Sequence, residues 1–290
     1  MSNQLKSLIN VNLSGVLLGT SGILSKLIFL PAHIIIFGRA LVAMICLVGF
    51  VFITKQTQKI NSIPDRVSIV IQGILLTLHW VTFVHSIQVS SVAIGFISFF
   101  TYPLMTTILE TILYKDRFEF KKVINGLLVL TALWLITPEF TLGSASFHGV
   151  LWGLFSASCF AIRNLLSQHS LKSYSSAYTM TLQVIVSTLC LLPFSQLFHI
   201  EYTQTDIIGI IFFGTVVTAL AHTLLISSLK SLKASTVALV ASIEPVFGIL
   251  FAFIFLKETP SMATILGGSL ILYVVVSETI NNRKADLLPI

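Results

Sequence analysis

The sequence predicts an all-α membrane protein of ten transmembrane helices, arranged as two inverted five-helix repeats. Three observations lead to that fold. The first is hydropathy: of 290 residues 55% are hydrophobic and only 10% charged, with a mean hydropathy of +0.96. A chain of that kind needs many apolar spans of about 20 residues each. The second is internal repetition. Pro103 precedes Asp116 by 13 residues, Pro245 precedes Glu258 by 13, and a shift of 142 also carries Ser86 onto Ser228 and Gly126 onto Gly268. The third is charge. With the N-terminus inside, the inner loops collect 13 of the 17 Lys and Arg residues. The outer loops hold Lys257 alone, beside Glu139, Glu201, Asp206 and Glu258. Lys and Arg accumulate on the cytoplasmic side, so both termini are expected there. Ten spans over two copies give five each, and an odd number turns the second copy upside down. The halves are residues 1–142 and 143–290.

Composition also excludes classes. The formal charge of +6 is scattered between apolar runs and makes no stripe suited to nucleic acid. Cys46, Cys159 and Cys190 are odd in number and lie inside apolar segments, so they read as small buried residues, not as a disulfide framework or metal site. No cleavable signal is expected, because the first apolar run continues as a helix that the repeat requires. No phosphate-cradling glycine loop, zinc motif or paired-Asp motif occurs, so neither cofactor nor metal is expected.

The expected spans are about 11–30, 33–53, 68–88, 91–114, 121–137, 147–168, 175–198, 207–229, 234–256 and 261–279. The opening helix of each half carries a small-xxx-small face, Gly15/Gly19 and Gly149/Gly153, that lets backbones approach. Each stripe ends in a cation, Lys26 near the outer mouth and Arg163 near the inner one. The second span holds Arg39, placed to snorkel outward or to pair with an acid. The third has His79-Trp80 at its middle and the eighth has His222, with Trp80 falling on His222 under the 142 offset. Membrane histidines serve as interhelical hydrogen-bonders or proton relays, and both readings stand. His85 lies closer to the interface and reads as an anchor, while Asn164 and Gln183 read as glue between helices.

The fourth and ninth spans are the centre of the reading. In the ninth, Glu244-Pro245 lies mid-membrane, where a carboxylate costs roughly 3 kcal/mol and is a functional candidate by default. Pro245 has no N–H, so the Ala241 carbonyl one turn earlier loses its helical partner. In the fourth, Tyr102-Pro103 is the counterpart, with Thr106 and Glu110 on the same face. Glu110, near Lys115, reads as an interfacial acid with basic neighbours.

This Pro-centred helix, seen twice, resembles the EamA family of the drug/metabolite transporter superfamily. The second copy, Ala234-Ser-Thr through Ile243-Glu-Pro-Val to Leu256-Lys-Glu-Thr, follows the family pattern. The first departs from it, with Tyr102 before the proline and Lys115-Asp116-Arg117 in place of the usual Gly/Lys-Glu. Arg39 also resembles an arginine common early in that family's second helix. The resemblance implies a transporter of small polar metabolites, most simply an exporter of amino acids or related solutes across a bacterial cytoplasmic membrane by alternating access. Import or exchange of a host or nucleotide-like metabolite stays open, as do an intramembrane enzyme and a passive channel. The expected pathway residues are Glu244, Pro245, His79, Trp80, Tyr102, Pro103, His222, Arg163 and Lys26. The bilayer and a small-molecule solute are the expected partners, protons are the candidate coupling ion, and the chain would act as monomer or homodimer without catalytic activity.

Overall fold

The computed structural model describes residues 3–60, 62–90, 92–114, 120–136, 144–170, 173–195, 201–256 and 262–287. Among them every regular element is helical. The first half comprises α1 (Asn3–Leu18), α2 (Ser21–Leu27), α3 (Ala32–Ile53), α4 (Ile63–Val89), α5 (Val92–Phe99), α6 (Tyr102–Tyr114) and α7 (Phe120–Ile136). The second comprises α8 (Ser144–Ser170), α9 (Ser176–Leu191), α10 (Gln204–Phe212), a π-helical stretch (Phe213–His222), α11 (Thr223–Ser228), α12 (Ala234–Ala241), α13 (Glu244–Leu256) and α14 (Met262–Leu287). Seven rods among the described residues are long and apolar enough to cross a membrane: Asn3–Ser25, Ala32–Ile53, Ile63–Val89, Phe147–His169, Ser176–Phe194, Gln204–Ser228 and Ala234–Phe255.

Several ends differ from the expected spans because local chemistry, not hydropathy, sets them. α4 starts at Ile63 because Ser62 caps it, its hydroxyl accepting from Asp65 N, with Pro64 in the first turn. α10 starts the same way: Thr203 and Asp206 form a reciprocal capping box. The cysteine expectation is corrected. Cys159 is buried, but Cys46 and Cys190 are exposed, on the apolar outer surface where acyl chains replace a protein core.

The repeat is visible in the packing. α5 and α6 run 92–99 and 102–114, and α12 and α13 run 234–241 and 244–256, so all four boundaries shift by 142. The interruption falls one residue before each Tyr102/Glu244 position, where the following proline cannot supply an N–H. α3 and α9 begin at 32 and 176 and pack on each other across the halves. Gly73 of α4 faces Val186 Cβ and the Gln183 carbonyl, while Gly214 of the π stretch faces Val42 Cβ and the Arg39 carbonyl. Arg39 and Gln183 are therefore repeat mates, as are Gly73 and Gly214.

A register change within a single rod interrupts the repetition. Ser62, Asp65 and Gly73 map onto Thr203, Asp206 and Gly214 at an offset of 141, but Trp80 and Ser86 map onto His222 and Ser228 at 142. The second half carries one extra residue between those pairs, and the π stretch is where it is absorbed.

Candidate functional site

The helices leave a central cavity of about 30 Å³, walled by side chains of α1–α4, α5, α8, the π stretch and α13. That volume admits water and nothing larger. Its polar groups are Ser21, Arg39, His79, Trp80, His222 and Glu244.

Glu244 opens α13, directly after the break, and Oε1 accepts from the Ser21 hydroxyl at 3.2 Å. Ser21 is held there by a close crossing at Gly19. A Cβ on Gly19 would sit 2.8 Å from Phe247 Cβ and 2.9 Å from the Glu244 carbonyl, so no larger residue fits. The paired glycines thus serve packing, and that packing brings α2 against the Glu244 turn.

Arg39 comes from α3 and is buried at 4% exposure. Its guanidinium lies 4.4 Å from the Trp80 ring centroid and 4.0 Å from that of Phe213. Nε donates to Thr218 Oγ1 at 2.9 Å. The Thr218 hydroxyl in turn donates to the Phe213 carbonyl five residues back, at 3.0 Å, a reach that belongs to a π turn. Arg39 and Glu244 make no direct ion pair within the cavity wall, yet both line it.

The two histidines are each held through one ring nitrogen. Trp80 Nε1–H donates to His222 Nε2 at 3.2 Å, and an indole nitrogen can only donate. A neutral His222 therefore carries its proton on Nδ1, which has no hydrogen-bond partner among the described residues. The Ser156 hydroxyl lies 3.0 Å from the His79 carbonyl and 2.8 Å from His79 Nδ1, so it holds the ring by that nitrogen. The His79 ring then packs on Phe99 and Phe160 at centroid distances of 4.9 and 4.4 Å.

The other residues expected on the pathway are placed as follows. Tyr102, the mate of Glu244, stacks on Phe99 at 4.9 Å and donates its hydroxyl to the Ala238 carbonyl at 3.2 Å, tying α6 to α12. Pro103 and Pro245 are buried at the starts of α6 and α13, behind the cavity wall. Arg163, fully buried on α8, lies off the cavity. Nε and Nη2 donate to Gln183 Oε1 at 3.0 and 2.6 Å, Nη1 donates to Asn164 Oδ1 at 2.9 Å, and Nη2 also meets Met180 Sδ. Gln183 passes the chain on to Gln72 Oε1 at 2.7 Å, which also accepts from Ser167 at 2.5 Å. Lys26 belongs to α2, and its side chain lies outside the described residues. Arg39, Ser21 and Thr218 join the site although sequence reasoning left them outside it. The available signal for Arg39 was a charge in mid-span, the same signal that marks Glu244.

A second polar cluster closes the end of the bundle near Glu110. Glu110 is buried against other helices: Oε1 accepts from Ala234 N at 3.1 Å and Oε2 from the Ser235 hydroxyl. Lys122 Nζ donates to the same hydroxyl at 3.0 Å, and Gln168 Oε1 shares the Ala234 N–H at 3.0 Å. Glu110 of α6 thus caps the N-terminus of α12, where a carboxylate also meets the positive end of the helix dipole.

Comparison with known proteins agrees with this architecture. Two segments, residues 5–137 and 147–277, match the EamA-like transporter family. An uncharacterized transporter of Archaeoglobus fulgidus is 26% identical over 66% of this chain and 68% of its own. The uncharacterized transporter YdfC of Bacillus subtilis is 22% identical over 83% of this chain and 79% of its own. Human solute carrier family 35 member G1 is 25% identical over 75% of this chain and 63% of its own. A solved crystal structure only 12% identical superposes with a TM-score of 0.81, covering 96% of this chain and 98% of that one.

Proposed function

The chain belongs to the EamA-like transporter family, and on that premise we propose that it carries small zwitterionic metabolites of the amino-acid type by alternating access. One observation carries the reading: a basic group, Arg39, and an acidic group, Glu244, line a single small cavity. A solute bearing both an ammonium and a carboxylate matches that wall and leaves its net charge unchanged. A cavity about 30 Å³ in volume is too small for such a solute, so binding requires helices to separate.

Ten spans as two inverted repeats, 1–142 and 143–290, complete the proposal. The seven long rods are joined by α5 with α6, by α7 and by α14. The broken α5/α6 and α12/α13 then meet near the midplane, as alternating-access transporters arrange their sites. The charge distribution supports both termini on the cytoplasmic face of a bacterial inner membrane and the Glu110 cluster near that face. Export, driven by proton exchange through Glu244, is the working direction.

The test is counterflow in proteoliposomes with a mixture of radiolabelled L-amino acids. Saturable exchange accelerated by unlabelled amino acid inside, and lost in Glu244→Gln, is the expected result. Flux that neither saturates nor responds to the opposite compartment would replace the transporter reading with a channel. Orientation is read separately by an impermeant thiol reagent in a cysteine-free background: Glu201→Cys labels from outside and Gln58→Cys does not.

A further inference from the structure

We infer that the solute's anionic end is a carboxylate received jointly by the Arg39 guanidinium and the His222 Nδ1–H, in a site assembled by the one extra residue of the π stretch. This rests on the transport reading of the same cavity. Arg39 spends Nε on Thr218, and its two Nη groups make no hydrogen bond among the described residues. His222 spends Nε2 on Trp80, and its Nδ1–H is left without an acceptor at 2% exposure. Both residues line the cavity and both touch Trp80. A buried donor left open, as at His222 Nδ1, costs stability, and an oxyanion with several lone pairs satisfies it together with the Arg39 Nη groups.

The charge balance selects among oxyanions. Arg39 and Glu244 are ionisable groups of opposite sign on the wall, a base and an acid. A monoanionic carboxylate that carries its own ammonium neutralises both, whereas a dianionic phosphate leaves a buried excess. The planar fork of Arg also matches a carboxylate bidentately, with the imidazole as a third donor.

The register change makes the convergence possible. In α4, Thr77 donates four residues back to the Gly73 carbonyl, and Trp80 follows Thr77 by three residues. In the second half Thr218 reaches five residues back, and His222 follows it by four. An uninterrupted α-helix would turn a residue four positions on by about 100° away from the face that position three occupies. The π stretch cancels that rotation, so Thr218 anchors Arg39 while His222 still meets its own repeat mate, Trp80.

The experiment measures binding to the purified full-length protein in detergent. Leucine, glutamine, serine and phenylalanine are each offered as free acid and as carboxamide. At least one free acid should bind, with its carboxamide at least tenfold weaker. His222→Phe should weaken that acid about tenfold and its amide less than twofold. His222→Asn, which keeps an N–H near the Nδ1 place, should recover to within about threefold. Thr218→Val should repeat the loss and Thr218→Ser reverse it. Amides that bind as well as acids, or a His222→Phe loss equal for both, would overturn the assignment. So would four acids that leave the wild type untouched, and saturable counterflow of a different solute would then keep the transport reading standing without the carboxylate site. Acids that bind as expected but are never exchanged would sink transport and leave the site.

Discussion

The Arg39 site and the Arg163 site are built on the same frame and do opposite things. In one, α3 presents Arg39 to Phe213 and Thr218 of the π stretch. In the other, α9 presents the repeat mate of Arg39, Gln183, to Gln72 of α4, the mate of Phe213. Arg163 then enters from α8 and is consumed: Gln183, Asn164 and Met180 take its donors, and no carboxylate is among these partners. Arg39 keeps its outer nitrogens for the cavity. Burial of a charge therefore does not by itself mark a transport site. What sets Arg39 apart is the cavity beside it and the unpartnered His222 Nδ1 on the same wall.

The sharpest way to break this comparison is to exchange the fates of the two arginines. Arg39→Gln should cut counterflow roughly 100-fold, the scale of a charge-assisted hydrogen bond of about 1.5–3 kcal/mol, while the melting temperature moves little. Arg163→Met should do the reverse. The stranded Gln183 and Asn164 oxygens cost about 2–3 kcal/mol of stability, with KM within about twofold of wild type. A tenfold rise in KM at unchanged stability would return Arg163 to the pathway. Deleting Leu220, an outward-facing residue of the π stretch, should restore a uniform 141 offset and uncouple His222 from Trp80. Solute affinity should fall about tenfold in a folded protein, and the Trp80 indole N–H resonance should shift. Retained affinity would separate the register change from binding. The smallest effect belongs to Glu110→Ala. Removing a cap of about 1 kcal/mol should raise the modification rate of Thr106→Cys from the cytoplasmic side about fivefold.

Hydropathy and repetition were legible because both are properties of residue order. The 142 offset written in Pro103/Pro245 reappears as the bounds of the broken helices, since proline acts within one turn of itself. The π insertion was not legible, because one added residue in an apolar run leaves hydropathy unchanged. Nor was the convergence of Arg39, His222 and Glu244, which lie on three different rods and meet only through packing. The partners of Glu110 were hidden for the same reason: its sequence neighbour is Lys115, but its bonding partner Ala234 lies 124 residues away. Arg163 and Arg39 were both legible as charges inside apolar spans, and their different hydrogen-bond partners appear only in the packing.

The Glu110 cap has a consequence for populations. Its repeat mate is Ala252, and the mates of Ala234 and Ser235 are Val92 and Ala93, side chains that cannot make the same bonds. On the proposed alternating-access cycle the two end states then differ in their contacts, and the clasped one is expected to be favoured at rest. A solute approaching the clasped side meets a competent form that is only a fraction of the molecules, and its apparent Kd rises by the inverse of that fraction. A cap of about 1 kcal/mol makes the difference about fivefold. Two faces with the same contacts would then show different apparent affinities, and the transporter would rectify without any second site.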